Sequence, residues 1–185
     1  MSIRDDADTA PEPALETGAL AAEGGADSGR WLSTEEQQAW RSYLRASRLL
    51  DDALDDDLQE HGLQLTEYEI LAMLSEAEGR HMRMSSLAEQ VVQSRSRLTH
   101  TAGRLEQRGL VLRRPARHDG RGVDLWLTSR GVDLLREVAP IHVESVRRHL
   151  IDPLGSQRFA ELGAAMATIR RHVLGLDPDN SDTVR

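Results

Sequence analysis

Six polar residues, Ser94, Ser96, Arg97, His100, Arg104 and Gln107, fall within a stretch of fourteen positions. Arginine supplies a planar fork of N–H donors, histidine and glutamine can both donate and accept, and so can a serine hydroxyl. Leu98, Ala102 and Leu105 recur among them at spacings of four and three, the repeat of a buried helical stripe. The polar set therefore occupies the opposite face, which carries no large apolar side chain. A second group, Arg117, Asp119 and Arg121, follows in a stretch with one proline and two glycines. This is the chemistry of holding phosphates and reading base edges. Nothing resembles a phosphate loop or a nucleophile motif, so an enzyme is not expected. No compact His or acid spacing suggests a metal site, and no cofactor is expected.

The elements that position these groups can be read around them. Ser94 suits a helix N-cap, and Gly109 suits the stop, so the spacing predicts a helix over Ser94–Arg108. A short helix from Ser85 or Ser86 to Val92, with Leu87, Ala88 and Val91 inward, precedes it, and Gln93 and Ser94 make the turn. Two helices so joined are a helix-turn-helix. Beyond Gly109, Leu110 to Arg114 read as a strand and Pro115 to Gly122 as a turn. Val123, Leu125 and Leu127 then alternate with Asp124 and Trp126, the pattern of a half-buried strand. The helix with its two-stranded wing makes a winged helix-turn-helix lobe over 63–128.

The rest of the chain reads as helical support. Residues 1–30 are rich in Ala, Gly and acids with few large apolar side chains, and are expected to be a disordered acidic segment. Ser33 to Glu36 form a capping box opening a long helix with Trp40, Tyr43, Leu44, Leu50, Leu54 and Leu58 on one side. The acids Asp51, Asp52, Asp55, Asp56, Asp57 and Glu60 crowd its second half and read as a solvated face, and Gly62 ends it. Thr66 to Glu69 read as a second capping box, with Tyr68, Leu71, Met73 and Leu74 apolar up to Gly79. Thr128 caps a helix carrying Leu134, Leu135, Val138, Ile141 and Val146, which Pro140 should bend. From Ser156, the residues Phe159, Leu162, Met166, Ile169 and Val173 recur at 3, 4, 3 and 4, suited to packing on other helices. Residues 31–62 and 129–175 thus form a helical dimerisation region, whose long stripes an intertwined homodimer would cover, and 176–185 a polar tail. The fold class is mainly α with a small β-wing (α+β).

Charge is unevenly placed along the 185 residues. The net charge is −8, yet Arg80 to Arg130 hold eleven arginines against Glu89, Glu106, Asp119 and Asp124, a local balance of +7. Such a basic lobe within an acidic body would admit DNA at one face and repel it elsewhere; the alternative is an unevenly charged solvated surface. There is no cysteine, so thiol switching and thiolate metal sites are excluded. No apolar run reaches the length of a membrane span and no signal peptide is evident, so a cytoplasmic protein without membrane contact is expected.

The segments LTEYEIL (65–71), MSSLAEQ (84–90), SRSRLT (94–99), RLEQRGLVLRR (104–114), Asp119 with Arg121 and Gly122, LTSRG (127–131) and DPLG (152–155) resemble, in order and spacing, the MarR family of bacterial transcriptional regulators. The resemblance implies a homodimer on a pseudo-palindromic operator in double-stranded DNA, usually a repressor. It implies that Ser94, Ser96, Arg97, His100 and Arg104 meet the major groove. Arg117 and Arg121 of the wing would reach the minor groove, with Asp119 orienting Arg121. It also implies release by a small, often aromatic or phenolic, molecule, for which Trp40, Tyr43 and His61 are candidates. His142 and His149 read as structural or surface groups. The chain departs from the family pattern at His100, Gly103 and Gly120, where many relatives carry Arg, Asp and Arg, which bears on the operator sequence. Gly103 costs about 1 kcal/mol relative to alanine inside a helix and suggests a close approach there. The alternative function is a winged-helix protein-interaction module that does not bind DNA.

Overall fold

The computed structural model describes residues 31–116 and 119–176, and for 119–121 the backbone alone. The segment 1–30, the tail from 177, Arg117 and the side chains of Asp119 and Arg121 lie outside the described residues. The chain divides into two units, Met1–Leu44 and Arg45–Arg185. In order, the elements are α1 (Thr34–Gln59), α2 (Leu65–Glu76), β1 (His81–Arg83), α3 (Met84–Gln90), α4 (Arg95–Gln107), β2 (Val111–Ala116) and β3 (Asp119–Leu127). There follow α5 (Ser129–Val146), a π-helical stretch (Arg147–Ile151), the single turn α6 (Asp152–Leu154) and α7 (Ser156–Val173). The protein is thus mainly helical with one small antiparallel sheet.

Helix starts are where local chemistry fixes the chain. At α1 the Ser33 hydroxyl accepts from the Glu36 amide (3.2 Å) and the Glu36 carboxylate from the Ser33 amide (2.7 Å), the reciprocal pair expected of a capping box. The second box is displaced from its expected place. Gln64, not Thr66, caps α2, and its amide donates to Glu67 at 3.2 Å. Glutamine is not a favoured N-cap type, so the conventional Thr66 drew the reading two residues along.

The sheet also differs from expectation. Among the described residues there are three strands, ordered β1-β3-β2, where two were expected. His81, Met82 and Arg83 pair with Trp126, Leu125 and Asp124. The expected turn over Pro115 to Gly122 is mostly strand, with Pro115 opposite Val123 and an irregularity between Pro115 and Ala116. Proline is tolerated because β2 is an edge strand and needs no amide donor on its outer side. The alternation in β3 holds at Leu125 and Leu127 and fails at Val123, which is 40% exposed, and Asp124, which is buried. The register sets Asp124 between Arg83 and Arg114 on the neighbouring strands, an opposite-charge row that suits a covered carboxylate.

One core joins these parts. Ile70, Leu71 and Leu74 of α2, Leu87 of α3, Leu98, Ala102 and Leu105 of α4, Leu125 of β3, and Val132, Leu135 and Val138 of α5 are buried together, with Leu58 from the end of α1. Each large side chain so buried contributes roughly 1.5–3 kcal/mol. The Thr128 hydroxyl accepts from the Gly131 amide at 3.0 Å, capping α5, and lies 2.8 Å from the Gly109 carbonyl, to which it can donate. Pro140 lies inside α5.

The acidic row of α1 is not simply a solvated face. Asp55 accepts from the Leu65 amide at 2.7 Å and so fixes the α1–α2 turn. Asp57 accepts from the Ser145 hydroxyl and from Arg148. The Ser145 hydrogen bond, and after it Arg148, hold the Asp57 carboxyl below its ordinary range against the opposing effect of desolvation. Spacing along one helix could not reveal partners some ninety positions away. The His142 ring packs tilted against Tyr68 (4.2 Å between centroids, 40° between planes), and burial pushes its pKa down. His149 is exposed, 3.7 Å from Asp57.

Candidate nucleic-acid interface

The α4 helix begins as its sequence dictates. Ser94 has extended backbone angles and its hydroxyl accepts from the Arg97 amide at 3.2 Å. That bond uses a lone pair, so the hydroxyl proton remains available to an outside acceptor. Gly109 takes φ +71° just beyond the helix, which lets the chain turn back as β2. Between α3 and α4, Val92 sits at φ +51° and is 89% exposed, an uncommon conformation for a β-branched residue.

With Leu98, Thr101, Ala102 and Leu105 buried, the other face of α4 turns outward. Ser94, Ser96, Arg97, His100 and Arg104 are all exposed, as is Gln107. A concavity of about 550 Å³ on this face is lined by Arg95, Ser96, Thr99, His100, Gly103, Arg104 and Gln107. Arg95 and Thr99 were missed by the sequence reading, although successive steps of about one helical turn link Arg95 to Thr99 and Thr99 to Gly103. A second hollow, between α3, α4 and β3, brings Arg83, Ser85, Arg95 and Gly122 together. Arg114 is exposed on β2 and lies 5.1 Å from the Trp126 ring centroid.

Arg104 is more committed than expected. Its Nε donates to Glu67 at 3.2 Å and its Nη2 to the Gln64 side chain. It remains 45% exposed, so part of the guanidinium faces outward. Arg113 crosses from β2 to the same helix, donating to the Thr99 carbonyl at 2.7 Å and pairing with Glu106 at 3.4 Å. It passes Gly103, where an added Cβ would meet only Arg113 Nη2, at 3.5 Å. That is an ordinary contact, so the fold itself does not require glycine here. Gly103→Ala is therefore expected to raise stability by about 1 kcal/mol, a melting-temperature gain of roughly 2–4 °C; an unchanged or lower melting temperature would contradict this.

The candidate ligand residues are divided between the two units. Trp40 and Tyr43 stack on each other in the first unit, 5.7 Å between centroids and 22° between planes, both about half exposed. His61 is in the second unit, exposed, with Nδ1 3.2 Å from the Asp57 carbonyl. Among the described residues no cluster of His, Asp and Glu is arranged to hold a metal ion, and no helix is long and apolar enough to cross a membrane.

Comparison with known proteins gives a consistent answer. The profile of the MarR family matches residues 61–122. The transcriptional regulator PecS of Dickeya dadantii is 30% identical over 144 residues, 77% of this chain and 86% of PecS. AbsC, a MarR family transcriptional regulator of Streptomyces coelicolor, is 48% identical with a TM-score of 0.74, over 79% of this chain and 99% of its own. Sco3205 of the same organism, solved in complex with DNA, is 40% identical with a TM-score of 0.75, over 85% of this chain and 97% of its own.

Proposed function

Since the chain belongs to the MarR family of transcriptional regulators, we propose that it acts as a homodimer that binds a pseudo-palindromic operator in double-stranded DNA and represses transcription until a small ligand releases it. The observation that carries this reading is the outward face of α4: a capped helix with three exposed arginines, two serines and a histidine, and no large apolar group. In this reading Ser94 and Ser96 meet phosphates near the helix N-terminus, where free backbone amides add to the attraction. Arg97, His100 and Arg104 reach base edges or phosphates, and Arg117 and Arg121, the latter oriented by Asp119, reach the adjoining minor groove. A narrow minor groove has enhanced negative potential that favours an inserted arginine.

Dimerisation is supported by the apolar side chains left uncovered. Trp40, Tyr43 and Leu49 of α1 and Ile169 and Val173 of α7 are about half exposed or more. A second copy would cover such stripes and set two α4 helices roughly 34–36 Å apart, one turn of DNA. Trp40, Tyr43 and His61 remain the candidates for an effector site. A ligand there releases DNA only by favouring a dimer whose recognition helices are wrongly spaced. The net charge of −8 favours a second reading, a protein-interaction module without DNA affinity.

Selection of bound sequences from random duplex DNA separates the two. The wild type is expected to enrich an inverted repeat, and Arg121→Ala to bind it at least tenfold more weakly. Failure of the dimer to enrich any sequence would favour the interaction module.

A further inference from the structure

Glu67 is an ionisable residue buried in the α2–α4 contact, 4% exposed. Its Oε1 accepts from Arg104 Nε at 3.2 Å; its Oε2 accepts from Arg108 Nη1 at 3.1 Å and from the Gln64 amide at 3.2 Å. Arg108 is tied again, to the Gly62 carbonyl at 2.8 Å. The carboxylate is thus satisfied by three donors, and its burial is offset. The two arginines are not equivalent in consequence. Arg108 lies at the end of α4, whereas Arg104 lines the outward concavity.

A guanidinium has five N–H donors in a fixed plane. In Arg104 the Nε proton goes to Glu67 and one Nη2 proton to Gln64. The Nη1 pair and the second Nη2 proton remain; of these, that Nη2 proton and the neighbouring Nη1 proton form the end-on fork of the group. That fork matches the N7 and O6 acceptors of guanine in the major groove. An unrestrained arginine would lose side-chain freedom on engaging a base; one held from behind has already lost it.

We propose that Glu67 is a positioning residue for base recognition: it holds Arg104 so that the outer edge of the guanidinium meets a guanine in each half-site. This rests on the operator-binding reading above. The same carboxylate places a negative charge behind the DNA-facing surface, so it disfavours indiscriminate phosphate binding while favouring one base contact. Glu67 therefore raises the ratio of specific to non-specific affinity.

The test uses the full chain as wild type, Glu67→Gln, Arg104→Ala and the double variant, on the duplex enriched by the wild type and on random-sequence duplex. Each operator guanine is replaced in turn by 7-deazaguanine, which lacks the N7 acceptor. The expected result is one guanine per half-site whose replacement costs the wild type about tenfold. That cost should fall below about threefold in Glu67→Gln, disappear in Arg104→Ala, and be equally absent in the double variant. Random-sequence binding by Glu67→Gln should be unchanged or tighter. A merely structural role would weaken both kinds of binding together. If Glu67→Gln melts early, Glu67→Asp keeps the charge, draws Arg104 back by one methylene, and should show the same loss of guanine discrimination. The proposal is overturned if Glu67→Gln keeps the full 7-deazaguanine penalty, or if Arg104→Ala weakens all sequences alike. Enrichment of no sequence by the wild type would instead remove the operator reading itself.

Discussion

Raising the salt from 50 to 200 mM is expected to weaken operator binding by about 10³–10⁵-fold, the response of a protein that neutralises roughly 6–10 phosphates. Whole-molecule charge predicts the opposite sign. A chain of net −8 facing a polyanion should bind better as salt screens the repulsion. The local balance of +7 between Arg80 and Arg130 decides the matter if the DNA meets that lobe alone. Arg95 and Arg97 are exposed on α4 and Arg114 on β2, so one subunit offers three phosphate partners before the wing tip is counted. Two subunits bring the total into the stated range. A titration from 50 to 200 mM salt on the selected duplex measures the slope directly. A flat or rising affinity would mean that the basic lobe does not lie on the phosphates.

Gly131→Ala is expected to cost about 3 kcal/mol, enough to lower the melting temperature by on the order of 10 °C. A Cβ at this position would lie 2.3 Å from the Leu110 carbonyl oxygen and 2.6 Å from Leu127 Cδ1. The leucine tip can rotate, but the carbonyl cannot easily move. It accepts from the Thr128 amide at 3.1 Å and lies 3.0 Å from the Thr128 hydroxyl. Relief would therefore require α5 to shift away from the start of β2, opening the core at Val132 and Leu135. Gly103→Ala is the natural comparison, since the same methyl meets no backbone there. Thermal melts of the two variants should move in opposite directions; a Gly131→Ala melt within a degree of wild type would show that the α5 start is looser than its contacts imply.

Local signals carried much of the fold. Ser94, Gly109 and Thr128 each mark a boundary by a bond or backbone conformation that their residue type favours, and all three stand where the sequence places them. The stripe of Leu98, Ala102 and Leu105 likewise fixed which side of α4 faces out. What escaped was either too short or too distant. Three residues, His81 to Arg83, cannot display an alternation, and only pairing with β3 makes them a strand. The Glu67–Arg104 contact spans 37 positions and Ser145–Asp57 spans 88, so neither is visible in any local window. Arg117 and the side chains of Asp119 and Arg121 lie outside the described residues, so the wing's part of the proposed interface is argued from sequence alone.

The core described above runs without interruption from α4 into the first ten residues of α5, through Leu105, Leu110, Val132, Leu135 and Val138. Close-packed interiors yield little and pass strain along. Helix α5 is in that sense a lever whose short end is cast into the lobe that carries α4. Its far end, past Pro140 and into the π-helical stretch at Arg147–Ile151, is only partly covered. A small tilt applied there would swing α4 as one rigid piece rather than bend it, with displacement growing with distance from the pivot. If a ligand releases the protein from DNA as proposed, it would then need no path through the lobe at all; a few degrees at the far end would carry α4 out of register with the proposed half-site.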